Sequence, residues 1–160
     1  MNIYAIDKLM SETRQLAAEY RRLTGQVLPV SNELSRHDVM TKLNFIMPEK
    51  PESGVDLIGV GSWLDKKILV KSRVVFTNAK SRPRLGQLNF DGKWEFAALV
   101  LMNDDYVAEE IHIAKKEVLL DSLKKNINNK NKDRNTISVA KFKALGELIW
   151  SHQAVSLAQN

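Results

Sequence analysis

The 160-residue sequence contains no cysteine. Disulfides, thiolate nucleophiles and cysteine-based zinc sites are thereby excluded. Histidine is scarce: His37, His112 and His152 stand far apart, without the ligand spacing of a histidine zinc site. No apolar run approaches the length needed to span a bilayer. Asp7 and Glu12, set within an amphipathic pattern, argue against a signal peptide, so a cytoplasmic protein is expected. Glycine-rich phosphate loops are missing as well. The stretch GVGSWL, residues 59–64, lacks a third glycine and a following helix, and there is no P-loop and no Gly-x-Ser-x-Gly.

What is present is ordinary in amount and uneven in distribution. Hydrophobic residues make up 44% and charged residues 27%, the balance of a soluble globular chain, and the length suits one domain over residues 1–160. The net charge of +5 is modest, but between Lys66 and Arg84 there are seven cations and no acid. These are Lys66, Lys67, Lys71, Arg73, Lys80, Arg82 and Arg84. Residues 115–134 are again mostly cationic, with asparagines interspersed. Such clustering is the footprint of a phosphate-backbone binder. Solvated lysines on strand edges and loops have the same composition, and on charge alone that blander reading has the edge.

Apolar residues at Ile3, Ile6, Met10, Thr13, Ala17 and Tyr20 follow one helical face, with Arg14, Arg21 and Arg22 off it and Gly25 as the stop. Ser31 or Asn32 is expected to cap a second helix running to about Leu43. Prolines and glutamates mark 48–54 as a loop. VDLIGVGSWLDKKILVKSRVVF, residues 55–76, reads as a hairpin, WEFAALVLM (94–102) as a strand covered on both faces, and YVAEEIHIA (106–114) as its partner, alternating Val107, Glu109, Ile111 and Ile113. A helix over about 115–123, an asparagine-rich loop, and a last helix over 138–151 capped by Ser138 complete the order. The expected fold is α+β: a central mixed or antiparallel sheet of about four strands, flanked by helices.

Three residues carry candidate chemistry. Glu33 lies early in the second helix, one turn before His37 and two before Met40, although the helix dipole alone favours a glutamate there. Asp56 opens a strand, where aspartate is rare, as a turn cap or as a ligand. Lys71 is mid-strand, sharing a face with Leu69 and Arg73, where a snorkelling lysine is the ordinary outcome. Phosphodiester hydrolysis requires carboxylates that hold Mg²⁺ and a cation beside the attacking water or the developing negative charge. A strand-opening aspartate, a lysine on the next strand and a helix carboxylate can converge at one end of a sheet.

On these residues the chain resembles the PD-(D/E)xK, or restriction-endonuclease-like, superfamily. It is most similar to small uncharacterised bacterial proteins with a helix motif GE-x-A-E, an aspartate before the second strand, and a strand QIKGR. Here the helix motif stands as SNELSRHDVMTKL (31–43), the aspartate as SGVDLIG (53–59) and the strand as LVKSR (69–73). Two later stretches, 83–106 and 138–150, also look like that family, so the resemblance spans most of the chain. It implies Glu33 and Asp56 as Mg²⁺ ligands, Lys71 as the catalytic lysine, and Lys66, Lys67, Arg73, Lys80, Arg82 and Arg84 as phosphate contacts. The implied function is a DNA-engaging nuclease-superfamily protein, as a Mg²⁺-dependent phosphodiesterase in host–phage or mobile-element conflict. The alternative is a catalytically silent module of the same fold, binding DNA or a protein partner, as a homodimer or complex subunit. Three positions depart from the pattern. Leu69 stands where the superfamily places Asp, Glu or Gln, Ser72 where glycine is expected, and Arg36 where the helix motif has its second acid.

Overall fold

The computed structural model describes residues 3–79, 82–125 and 136–153. Helix α1 (Ile3–Thr24) ends as its sequence suggests: Gly25 takes φ +72° and its N–H bonds the Arg21 carbonyl at 2.8 Å. Helix α2 (Ser31–Leu43) closes on Asn44 in the left-handed conformation. Its start differs from expectation. Val30 occupies the cap position, and no side chain there bonds the first turn. The Asn32 side chain instead accepts a hydrogen bond from the Ser72 hydroxyl at 3.2 Å, tying the helix to the sheet.

The hairpin forms from β1 (Leu57–Ile58) and β2 (Lys67–Val74), joined through a single 3₁₀ turn at Gly61–Trp63. Strands β3 (Phe96–Met102) and β4 (Ala108–Lys115) make a second antiparallel pair, and β3 lies parallel to β2. The alternation expected for β4 is interrupted by an irregularity in pairing, so Val107 is exposed while Ala108, Ile111 and Ile113 face the core. Helix α3 (Lys116–Lys125) follows directly.

The last expected helix is half helix and half strand. Helix α4 (Val139–Leu145) is capped by Ser138, whose hydroxyl accepts the Lys141 N–H at 3.1 Å, but the chain leaves the helix at Gly146. Glu147–Ser151 forms β5, antiparallel to β4. Local periodicity is overridden here by the open edge of β4, which supplies a ladder for the β-branched and aromatic residues Ile149 and Trp150. Gly146 permits the switch, since a Cβ there would sit 2.9 Å from the Ile113 carbonyl. The sheet therefore has five strands rather than four, in order β1-β2-β3-β4-β5.

Two apolar clusters sandwich this mixed sheet, giving an α+β architecture. On one face Ala17, Ala18, Leu34 and Val39 of α1 and α2 pack on Ile68, Val70, Ala98, Val100 and Ile113. On the other, Leu119 of α3 and Phe142 of α4 pack with Leu85, Leu88 and Trp94 on Ala97, Leu99 and Leu101. The continuous apolar run of β3 is thus covered on both faces, as expected. Among the described residues no helix is long and apolar enough to cross a membrane.

Candidate functional site

Strand pleating sends alternate side chains of β2 to opposite faces. Ile68 and Val70 enter the cluster beneath α1 and α2, and Ser72 reaches α2. Leu69, Lys71 and Arg73 belong to the other face, and Leu69 packs at the margin of the second cluster. Leu69 is thus a packing position in this structure.

The three candidate residues are each engaged separately. Glu33 projects outward from the first turn of α2, its side chain 65% exposed, and pairs with Arg36 one turn on at 3.0 Å. Asp56 closes the end of the hairpin ladder: its N–H donates to the Ile68 carbonyl at 2.8 Å, and its carboxylate accepts the Val70 N–H at 2.7 Å. This is the capping role that an aspartate at a strand start serves. Lys71 turns to the second face and donates its ammonium to the Gln87 carbonyl at 3.2 Å. Helix α2 lies on the first face, so the structure does not bring Glu33 together with Lys71. Among the described residues no group of three or more His, Asp and Glu side chains is placed to hold a metal ion.

The cations divide into two groups. Lys66 and Lys67 are neutralised by Glu95 and Glu52, at 3.7 and 2.7 Å. Arg73 and Arg82 are exposed and make no hydrogen bond or ion pair with any described residue. Arg84 donates to the Thr136 hydroxyl at 3.1 Å, and Lys71 to a carbonyl, so neither has a carboxylate partner among the described residues. The Lys71 contact sets Gln87, three residues beyond Arg84, against the face of β2 that carries Arg73. Lys80 and the asparagine-rich loop 126–135 lie outside the described residues.

Two polar contacts were missed in the sequence reading. Arg14, placed there off the apolar face of α1, is part-buried and donates to the Asp38 carboxylate at 2.5 Å and to the Tyr106 carbonyl at 2.6 Å. Burial raises the Asp38 carboxyl above its ordinary value, with the Arg14 hydrogen bond and charge pulling against it. A signal existed: Asp38 directly precedes the buried Val39 and lies one turn from the buried Leu34, on an apolar face where a carboxylate needs a partner. On the second face Glu110 accepts from His112 and from Lys143 of α4, each at 3.2 Å. Burial pushes the Glu110 carboxyl up, but these two hydrogen bonds outweigh it and hold the group below its usual range. Two depressions, of about 220 and 460 Å³, run beside α1, lined by Arg21, Arg22, Asn78 and Asp104 and by Arg14, Glu19 and Asp105 respectively. Neither includes Glu33, Asp56 or Lys71. Compared with protein-family models and with curated proteins, the chain matches none.

Proposed function

We propose that this chain is a nuclease-like module that binds DNA by its phosphate backbone and does not cut it alone. The observation that carries the reading is the segment from Lys71 to Arg84. Lys71, Arg73, Arg82 and Arg84 have no carboxylate partner among the described residues, whereas Lys66 and Lys67 beside them are neutralised. Cations with exposed, unpaired charge are free to displace the counterions condensed on a duplex. The separate engagements of Glu33, Asp56 and Lys71, with Leu69 packed against apolar neighbours, favour binding over hydrolysis. The setting inferred from the resemblance, host–phage or mobile-element conflict in the bacterial cytoplasm, belongs to the same proposal.

Fluorescence anisotropy of a labelled duplex, measured against salt, tests it. Four phosphate contacts correspond to a slope of log affinity on log salt of about −3.6. Combining Arg73→Gln, Arg82→Gln and Arg84→Gln should bring that slope close to −1 and weaken binding to all sequences alike. A flat salt dependence, or a slope unchanged by the triple substitution, contradicts the proposal. Incubation with supercoiled and linear DNA in Mg²⁺ or Mn²⁺ addresses hydrolysis, and no cleavage is expected. Cleavage that disappears in both Lys71→Ala and Asp56→Ala would establish the phosphodiesterase reading instead.

A further inference from the structure

Strand β2 is paired on one side along its whole length and on the other along only part of it. The backbone groups of Lys67, Lys71 and Arg73 point toward β3, and those of Ile68, Val70, Ser72 and Val74 point toward the β1 side. There β1 meets β2 only at Lys67 and Ile68, and the Asp56 carboxylate takes the Val70 N–H. Upstream of Asp56 the chain turns away through Gly54, whose φ is +78°. The Val70 carbonyl, and the N–H and carbonyl of both Ser72 and Val74, are left pointing outward with no partner among the described residues. Val70 and Ser72 turn their side chains to α2. Lys71 and Arg73 stand two residues apart on the other face, with no carboxylate partner among the described residues.

We infer that this edge takes up an extended acidic peptide as an added strand antiparallel to β2, with its acids at alternate positions opposite Lys71 and Arg73. Backbone pairing supplies the contacts and the two cations select the sequence. A residue hydrogen-bonded to Ser72 has its two neighbours opposite Lys71 and Arg73, at the closer spacing of non-hydrogen-bonded pairs, where opposite charges attract. A second copy of β2 does not meet this condition. Centred on Ser72, it would set Lys71 of each chain against Arg73 of the other, and like charges directly opposite repel. The cations that keep two such edges apart are therefore the ones that suit an acidic strand. Asp56 closes the site at Val70, so the acids engage only beyond it. This contact is independent of DNA, because it uses backbone groups that phosphate binding does not.

A fluorescein-labelled peptide of alternating glutamate and valine is the probe. Its binding to the full chain should saturate, and amide exchange at Ser72 and Val74 should slow about tenfold in the complex. In this register the valine N–H groups face β2 and the glutamate N–H groups face away. Methylating the valine nitrogens should abolish binding, whereas methylating the glutamate nitrogens should not. Replacing the glutamates by glutamine should weaken binding about tenfold, through two cross-strand charge pairs. Lys71→Glu combined with Arg73→Glu should lose the acidic peptide and accept one of alternating lysine and valine, a gain that an unfolded chain would not show. No saturable binding overturns the inference. So does binding that survives methylation of the valine nitrogens, which is attraction of charge alone, or exchange at Ser72 and Val74 unchanged by saturating peptide. No duplex enters these measurements, so phosphate binding stands or falls separately on its salt titration.

Discussion

Replacing Arg14 by methionine removes the charge while keeping most of the aliphatic volume. The substitution leaves the Asp38 carboxylate, its side chain 5% exposed, without its guanidinium, and the Tyr106 carbonyl without its donor. Each hydrogen bond to a charged group contributes about 1.5–3 kcal/mol, and breaking one side of a buried pair costs about 3–5 kcal/mol. For a chain of this length that corresponds to a fall in melting temperature of about 10 °C. The sign of the pH dependence follows from the raised Asp38 carboxyl. A carboxyl whose value is higher in the folded state contributes stability that is fully present below its unfolded value and lost as pH rises through the folded one. Without Arg14 the folded value moves further up, so the penalty in the Arg14→Met chain should be small in acid and full at neutral pH. Urea unfolding at both pH values measures this, beside the Arg14→Met, Asp38→Leu double variant. The double variant should recover most of the loss, since it leaves no buried charge alone. An Arg14→Met penalty that is equal in acid and at neutral pH, or a double variant no more stable than the single, would refute the reasoning.

Three further outcomes follow from the same contacts. Asp56→Ala should cost about 1–3 kcal/mol, because the Val70 N–H loses its acceptor, while Asp56→Asn, which keeps an oxygen in place, should cost clearly less. Equal losses in urea unfolding would show that the carboxylate does not serve as a cap. Gly146→Ala should destabilise by about 1–3 kcal/mol, with hydrogen exchange accelerated first in β5, since its Cβ meets the Ile113 carbonyl. Asp104 is held below its ordinary value by hydrogen bonds from the Thr77 side chain and backbone. Its contribution is present above that ordinary value and lost as pH falls through the depressed one, so Thr77→Val should flatten the acid limb of the melting-temperature profile. The effect is small and salt-sensitive because the site is exposed.

The elements written in a single period were legible. The α1 pattern, the hairpin at 55–76 and the doubly covered β3 each announce themselves over enough residues for the rhythm to be unambiguous. Residues 138–151 were not, because a capped helical start and an apolar end read as one helix until the unpaired edge of β4 is known. The pairing partner lies nearly forty residues upstream, outside any local window. The face of α1 was legible in part: Met10 and Ala17 of the expected face pack on the core, whereas Tyr20 is turned outward and Arg14, expected off that face, reaches inward to Asp38. For the candidate site, residue type was readable and facing was not. Lys71 and Ser72 are adjacent in sequence, but the pleat gives one to the loop at Gln87 and the other to α2.

The strand that replaces half of the expected last helix also determines what a shortened chain would do. With β5 in place, the outer ladder of β4 is satisfied from Glu110 to Ile113. A chain ending at Gly146 would keep α1 to α4 and lose only Ile149 and Trp150 from the margin of the first cluster, but would present an open row of backbone donors and acceptors flanked by buried isoleucines. That is a template for strands of other molecules. Termination before Glu147 is therefore expected to produce aggregation rather than a smaller working domain, which makes the five residues of β5 at the sheet margin a safeguard against strand-to-strand association.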